Sequence, residues 1–472
     1  MIRSKRIIWV MVMLFTATAI PIWVTAWFSV AAAAQVKMSD ENPPHIIFIV
    51  VDSLRADHVS SYGYERSTTP NLDMNMAAQG ALFTDVTAAS SWTNPSNGAM
   101  LTSHTPSAID TVWSDIDRSI PEDEVLLAEY LQDAGYQTVG FVSNYWMRHR
   151  FGYAQGFDVY EGTSGENTQR AVAINNLATN WLNDNLEKLN NSGQPLFLFL
   201  YYLDPHSWYD PLPPYDTLYD SAYTGTLTAE VFGHGQDVVA GTLVPTERDI
   251  EHLLALYDGE ITYWDFYLGQ MFTYLDENGV LENSIMIVTS DHGEMFGEHG
   301  KWVHANSLYE EVLRIPLLFR YPGMLAPGQV LTTPVHMMDI APTLLDMIGI
   351  PVPDHMQGQS LLAIMQGRHA PASRPIFSEM PGETDPEAIP YWIAPHTNVY
   401  SVKQDGLKLI HYQQGPVLGE LYDVQPTSVY EVEDLASQEP AIANRLFAQL
   451  QEEFAIPTRH WFLPFVEAQN DT

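Results

Sequence analysis

The sequence predicts an α/β fold in which a large, mostly parallel β-sheet is flanked by helices. Several short apolar runs rich in β-branched residues have the composition of strands buried on both faces, as strands of parallel sheets are. Segments with helical spacing separate these runs, which is typical of βαβ units. The first run, HIIFIVV, covers residues 45–51.

Strands and helices alternate over the next 270 or so residues. Further strands are expected at residues 138–143, 195–203, 284–289 and 315–319. A helix is predicted at residues 126–134, where apolar side chains recur at helical spacing and Gly135 provides a stop. Thr246 is expected to cap a long amphipathic helix that ends near Asn278.

The pattern changes at about residue 375. Short alternating runs at 400–403 and 407–412 predict hairpin strands, and a helix is expected at about 440–454. The sequence therefore predicts a main domain over residues 45–374. A small antiparallel subdomain with a terminal helix is expected over residues 375–472.

Composition and charge exclude several classes of protein. With 46% apolar and 12% aromatic residues, the 472-residue chain is neither disordered nor collagen-like. It has 58 acidic and 21 basic side chains, a net charge of −37, whereas a nucleic-acid partner requires a basic surface. Cysteine is absent, which excludes disulfides, thiolate metal sites and a cysteine nucleophile.

Residues 1–34 have the composition of a targeting segment. A positive start with Arg3, Lys5 and Arg6 is followed by an apolar run long enough to span a bilayer. The four alanines at 31–34 also offer a signal-peptidase site. As a signal peptide or as a membrane anchor, the segment predicts export to the periplasm, the extracellular space or the outer face of a membrane. Residues 35–44 are expected to form a linker.

Polar side chains follow three of the predicted strands. They are Asp52, Asp204, His206, Asp291 and His292. A single Asp after a strand is usually a turn or helix cap, but in open α/β sheets the carboxyl ends of the strands line the site. Two carboxylates and an imidazole suit a divalent ion of hard to borderline character. Neighbouring Asp291 and His292 can both bind it only in a turn, which Gly293 permits.

The chain resembles the sulfatases of the alkaline-phosphatase superfamily over roughly residues 45–435. The motifs that carry the resemblance are VVDSLRAD at 50–57, SWTNPSN at 91–97, PH at 205–206, SDHGE at 290–294 and DIAPTLL at 339–345. Several separate motifs spread along the chain do not match one family by chance. The resemblance implies an alkaline-phosphatase/sulfatase-like fold with a small antiparallel C-terminal subdomain.

The departures from the family pattern concern the chemistry. Sulfatases have Cys or Ser, converted to formylglycine, where this chain has Thr93, and Arg where it has Asn97. Ser53 replaces a second aspartate. No formylglycine is expected from Thr93, so the hydrated-aldehyde route is closed. The threonine version is similar to phosphonate monoester hydrolases, phosphodiesterases and phosphoethanolamine-type transferases of the superfamily.

The resemblance also implies roles for individual residues. One divalent ion would be bound by Asp52, Thr93, Asp291 and His292. It could be Mn²⁺, Zn²⁺, Ca²⁺ or Mg²⁺, with His292 and Ser53 shifting the preference away from calcium. Thr93 would be the nucleophile. His206 and His304 would bind the substrate or protonate the leaving oxygen, and Asn97 and Lys301 would stabilise substrate oxygens.

Three functions remain open from the sequence. The first is an exported, metal-dependent hydrolase of sulfuric or phosphoric (phosphate or phosphonate) esters, acting on a small-molecule, saccharide or lipid ester. The second is a membrane-anchored phosphoalcohol transferase, although such enzymes usually have several spanning helices. The third is a silent binding protein, against which the complete Asp, Thr, Asp and His set argues.

Overall fold

An eight-stranded mixed β-sheet forms the centre of the fold. This computed structural model describes residues 43–109, 111, 119–163, 170–233, 235–368, 373–382, 397–414, 419–425 and 431–456. The predicted targeting segment and most of the predicted linker lie outside these residues. Both sheets described below belong to one unit, residues 40–472.

The strands and helices have the following bounds. The strands are β1 (His45–Val51), β2 (Ala81–Phe83), β3 (Val86–Thr87), β4 (Gln137–Val142), β5 (Val159–Gly162), β6 (Leu196–Tyr202), β7 (Ser284–Ser290), β8 (Met295–Phe296), β9 (Trp302–Val303), β10 (Leu317–Arg320), β11 (Gln329–Leu331), β12 (Val335–His336), β13 (Ile376–Met380), β14 (Val399–Gln404), β15 (Leu407–Tyr412) and β16 (Glu420–Asp423). The helices are α1 (Pro70–Leu72), α2 (Thr93–Thr102), α3 (Leu127–Asp133), α4 (Ala171–Ser192), α5 (Ala229–Phe232), α6 (Gln236–Val239), α7 (Glu247–Glu277), α8 (Glu310–Leu313), α9 (Ile340–Met347), α10 (Leu362–Met365) and α11 (Pro440–Phe454).

The large sheet has the strand order β11-β2-β10-β7-β1-β6-β4-β5. Its neighbouring strands pair in parallel except where β10 lies antiparallel between β7 and β2. The predicted mostly parallel sheet is therefore confirmed. Between β7 and β10, residues 291–316 contain the antiparallel pair β8 and β9 and the four-residue α8.

The sequence predicts the long helix α7 but gives only a weak signal for the long helix α4. The predicted cap of α7 is present, because Thr246 Oγ1 accepts the Asp249 N–H at 3.2 Å and Asp249 Oδ2 accepts the Thr246 N–H at 2.8 Å. The sequence of α4 does not predict a helix clearly, because it is rich in asparagine, a weak helix former. It nevertheless buries Ile174, Ala178 and Leu182 at helical spacing.

The C-terminal region forms a separate antiparallel sheet in the order β13-β14-β15-β16, with α11 packed on it. This confirms the small antiparallel sheet expected there, while the division of the chain at residue 375 stays a prediction. Buried ion pairs link this sheet to α8 and to the residues between β2 and β3. Lys403 Nζ of β14 lies 2.6 Å from Asp85 Oδ1 and 2.9 Å from Glu310 Oε2.

None of the helices within the described ranges combines the length and the apolar character needed to cross a bilayer.

Replacing Lys403 by Ala should destabilise the fold strongly. The substitution leaves Asp85 without its ammonium partner and Glu310 with Lys408 alone, in surroundings that exclude water. Breaking a buried ion pair in this way costs about 3–5 kcal/mol. Urea denaturation measures this loss, with Lys188→Ala on the exposed side of α4 as the control, expected to change stability by less than about 0.5 kcal/mol. Equal stability of the two variants would contradict the prediction.

Candidate active site

The register of two adjacent parallel strands brings Asp52 and Asp291 side by side. Val51 pairs with Ser290 at the carboxyl ends of β1 and β7, so the next residue of each strand lies at the same edge of the sheet. Both carboxylates are fully buried. The two predicted strand-end aspartates therefore meet, as expected for an open α/β sheet.

His292 and Thr93 complete a compact cluster with these carboxylates. His292 Nε2 lies 3.7 Å from Asp52 Oδ1, 3.6 Å from Asp291 Oδ2 and 3.4 Å from Thr93 Oγ1. One ligand atom from each of Asp52, Asp291 and His292 lies within 4.8 Å of the others. Thr93 is the first residue of α2 and is 1% exposed. The structure thus brings together all four residues predicted to bind an ion.

The hydrogen bonds of His292 define which nitrogen faces the cluster. Its Nδ1 lies 2.8 Å from the Gly293 carbonyl oxygen, which can only accept, so Nδ1 carries the hydrogen. In the neutral ring, Nε2 then keeps its lone pair toward the carboxylates and Thr93. Gly293 is required by close packing, because a Cβ there would lie 2.1 Å from the Glu311 carbonyl oxygen.

Neutral hydrogen-bond donors hold the two carboxylates. Asn144 Nδ2 donates to Asp52 Oδ2 at 2.5 Å, and Tyr201 Oη donates to Asp291 Oδ2 at 2.7 Å. Ser53, whose φ of +58° is in the left-handed region, donates its N–H to Asp291 Oδ1 at 3.2 Å and its hydroxyl to Asp52 Oδ1 at 3.0 Å. Such a backbone conformation is costly for a residue other than glycine and recurs at functional sites.

Two of these donors were not assigned to the site from the sequence. Tyr201 ends an otherwise apolar strand next to Tyr202, and such a residue is ordinarily taken as core. Asn144 follows a predicted strand, and from the sequence it could be a turn residue or a polar wall of the site. The usable signal was position: both lie at the carboxyl ends of β6 and β4, the strands that follow β1 in the sheet order.

The electrostatics of the cluster favour a bound cation. Burial, and then the negative charge of Asp291, raise the pKa of Asp52 to about 8. Among the described residues, the ion-pair partner of both carboxylates is His292, with no lysine or arginine. Two carboxylates, an imidazole lone pair and a hydroxyl at these separations are donors that a divalent ion such as Mn²⁺ or Zn²⁺ accepts. The residues present therefore fit one such ion.

His206 and His304 lie beside the cluster. The His304 ring centroid is 4.6 Å from that of His292 and 4.9 Å from that of His206. His304 Nδ1 is 2.9 Å from Glu294 Oε1, and His206 Nδ1 is 2.7 Å from the Ser207 carbonyl oxygen. Both rings are partly exposed, unlike the buried ligands, so they can reach a substrate. Burial raises the pKa of Glu294 to about 7.

Asn97 and Lys301 differ in their placement. Asn97 Nδ2 donates to Asp291 Oδ2 at 3.0 Å and to the Thr93 carbonyl oxygen at 2.8 Å, while its buried Oδ1 has no hydrogen-bond partner among the described residues. Asn97 thereby holds a predicted ligand and the predicted nucleophile in place. The side chain of Lys301 makes no hydrogen bond or ion pair with a described residue, and its role stays a prediction.

Comparisons with known proteins agree with this geometry. The family model of sulfatases matches residues 44–350, and that of the N-sulphoglucosamine sulphohydrolase C-terminal region matches residues 297–455. The N-acetylglucosamine-6-O-sulfatase of Bacteroides thetaiotaomicron is 23% identical, over 85% of this chain and 84% of its own length.

Solved structures share the fold. The phosphonate monoester hydrolase SpPMH of Silicibacter pomeroyi aligns with a TM-score of 0.70 at 21% identity, covering 88% of this chain and 96% of its own. A protein solved with its substrate D-glucosamine-2-N,6-O-disulfate aligns with a TM-score of 0.72 at 20% identity, covering 88% and 98%. Since the sulfatase family model spans well over half of the sequence, this chain belongs to the sulfatase family, within the alkaline-phosphatase superfamily.

Proposed function

We propose that this sulfatase-family protein is an exported, metal-dependent hydrolase of phosphate, phosphonate or sulfate esters that uses Thr93 as its nucleophile. The observation that carries the proposal is the position of Thr93 Oγ1, 3.4 Å from His292 Nε2 at the edge of a buried pair of carboxylates. A threonine hydroxyl without an activating neighbour is a poor nucleophile near neutral pH.

The residues of the cluster would bind the ion and prepare the hydroxyl. Asp52, Asp291 and His292 would hold one divalent ion, which lowers the pKa of a hydroxyl bound to it and withdraws charge from ester oxygens. Asn97 holds Asp291 and the backbone of Thr93, so the hydroxyl stays next to the ligands. Thr93 also begins the ten-residue α2, where the helix dipole favours negative charge.

The first chemical step would transfer the phosphoryl, phosphonyl or sulfuryl group to Thr93. The Thr93 hydroxyl would release its proton to solvent, and its Oγ would attack phosphorus or sulfur in line, forming an O–P or O–S bond while the bond to the leaving alcohol breaks. His304 would donate the proton that the leaving oxygen needs. Glu294 accepts from His304 Nδ1 and so keeps the opposite nitrogen of the ring available. Glu294 is therefore a positioning residue.

The second step would release Thr93. Water attacks the phosphorus or sulfur, the bond to Oγ breaks, and the proton from water returns to the threonine oxygen. Phosphorus accepts a second in-line attack more readily than sulfur. We therefore favour phosphate or phosphonate esters over sulfate esters for a threonine that cannot form the aldehyde.

The similar proteins support an ester hydrolase, and by name they act on esters of two kinds of acid, sulfuric and phosphonic. Their names include sulfatases that act on saccharides and a phosphonate monoester hydrolase. We propose a saccharide or other small-molecule ester as the substrate, and export directed by residues 1–34. The phosphoalcohol transferase that the sequence left open is not favoured, because the similar proteins named above are sulfatases or a phosphonate monoester hydrolase.

Replacing Thr93 by Ala should abolish turnover. The variant lacks the oxygen that forms the covalent ester, so kcat should fall by about 10³-fold or more. Hydrolysis of matched nitrophenyl sulfate, phosphate monoester, phosphate diester and phosphonate by the metal-loaded protein measures this. Thr102→Ala, at the other end of α2, is the control.

The pattern of activities separates the possible outcomes. Phosphoester or phosphonate turnover that disappears in Thr93→Ala supports the threonine mechanism. Dominant sulfate turnover would contradict the preference for phosphorus. Activity that survives in Thr93→Ala would rule out Thr93 as the nucleophile.

The effect of metal on stability should increase with pH. Since the pKa of Asp52 is raised from 3.8 to about 8, the metal-free folded protein keeps a proton that the unfolded chain releases. Metal-free protein should lose stability as pH rises from about 4 to about 8, and ion binding at low pH must displace that proton. Melting temperatures at pH about 5.5 and about 8, with and without MnCl₂, test this. An equal metal-induced shift at both pH values would argue against the prediction.

His304→Ala should discriminate between leaving groups. An alkyl alcohol leaves only with a proton, so its ester should lose about 10²- to 10⁴-fold in kcat. A nitrophenyl ester, whose anion leaves unaided, should lose far less. The exposed His355, replaced by Ala, is the control. Equal losses for both esters would remove His304 from the role of general acid.

A further inference from the structure

We propose that His299, Glu311 and Glu431 form a second divalent-metal site, of the Zn²⁺ or Mn²⁺ type, that shares no ligand with the first. One ligand atom from each residue lies within 4.8 Å of the other two. The three residues come from different parts of the chain. His299 lies in the turn before β9, Glu311 lies in α8, and Glu431 lies in the C-terminal region.

The separation of the donors suits a tetrahedral ion. His299 Nε2 lies 3.3 Å from Glu311 Oε1. Two ligands at the usual distance of about 2.0–2.2 Å from Zn²⁺, at a tetrahedral angle, are about 3.4 Å apart. An imidazole with two carboxylates is also a donor set that borderline ions accept.

One oxygen in this cluster lacks a partner. The side chain of Glu311 is fully buried, and its Oε2 has no hydrogen-bond partner among the described residues. Glu431 Oε1, by contrast, has the ammonium of Lys408 at 3.0 Å, so the oxygen without a partner is that of Glu311. Buried carboxylate oxygens in this state are costly unless a cation binds them.

The local charge leaves room for such a cation. The buried carboxylates in and around the cluster belong to Asp85, Glu310, Glu311 and Glu431. The ammonium groups of Lys403 and Lys408 lie at ion-pair distance from Asp85, Glu310 and Glu431, whereas the ion-pair partner of Glu311 is the imidazole of His299. Arg55, whose hydrogen bonds go to Asp57 and Glu298, also interacts electrostatically with Glu311. A divalent ion would add positive charge beside Glu311.

The position of the cluster indicates what the ion would do. Glu431 joins the C-terminal region to α8, where its Oε2 accepts the Glu310 N–H at 2.7 Å. The neighbouring Val312 carbonyl oxygen accepts the N–H of Gly293 at 2.9 Å, directly after the catalytic His292. An ion at this point would brace α8 against the C-terminal region and thereby support the turn that holds His292.

The number of bound ions per chain tests the proposal. The full chain is loaded with Zn²⁺, dialysed and analysed by elemental mass spectrometry, and two equivalents are expected. His299→Asn removes the imidazole at a φ of +55°, which Asn tolerates, and should lower the content by one equivalent. Glu311→Gln should do the same. Glu433→Gln, an exposed neighbour of Glu431, should keep two equivalents.

The two sites can fail separately. Asp291→Asn should lose the catalytic ion while keeping the second, whereas His299→Asn should keep the first. The melting temperature of each variant, measured with and without Zn²⁺, shows whether it has folded and whether its remaining site binds. One equivalent in the wild type that Asp291→Asn removes, or two equivalents retained in His299→Asn, would overturn the proposal. One equivalent removed by His299→Asn alone would uphold it and contradict the catalytic metal.

Discussion

The structure depends on the burial of Asp52 and Asp291 next to each other. Two carboxylates in contact with little water repel each other and lose their hydration, which is unfavourable unless a proton or a cation compensates. Burial and the charge of Asp291 raise the pKa of Asp52 for this reason. The fold enforces the arrangement, because the register of β1 and β7 places the two residues side by side at the centre of the sheet. The arrangement therefore favours the binding of a cation in place of that proton.

The neighbours of these carboxylates are consistent with that consequence. Asn144, Tyr201 and Ser53 orient the oxygens through neutral hydrogen bonds and add no positive charge. An arginine or lysine at the same positions would compensate the carboxylates permanently and weaken the attraction for an ion. Neutral donors leave that attraction intact. With a net charge of −37, the chain would otherwise repel an anionic ester, so an ion bound here would have a second use.

The sequence predicted the parts of this site that follow from strand patterns. The buried runs before Asp52 and Asp291 located both residues at strand ends, and the capped helix α7 was recognised from Thr246. It could not predict the antiparallel β10, because strand direction depends on the connection rather than on the strand itself. The sequence could not predict the role of Tyr201, because a tyrosine in an apolar strand is usually a core residue. Its hydrogen bond to Asp291 depends on the fold. The cluster of His299, Glu311 and Glu431 joins residues up to 132 positions apart, a proximity that only the fold creates.

The fold alone does not choose between sulfur and phosphorus. The chain aligns about equally well with a phosphonate monoester hydrolase and with a protein that binds a disulfated sugar, at TM-scores of 0.70 and 0.72. The choice therefore lies in the nucleophile. A formylglycine releases sulfate by breaking its own carbon–oxygen bond, but a threonine ester has no such route and must be cleared by attack at the central atom. Because phosphorus undergoes that second attack more readily, Thr93 shifts the expected substrate toward phosphate and phosphonate esters, although the scaffold is a sulfatase scaffold.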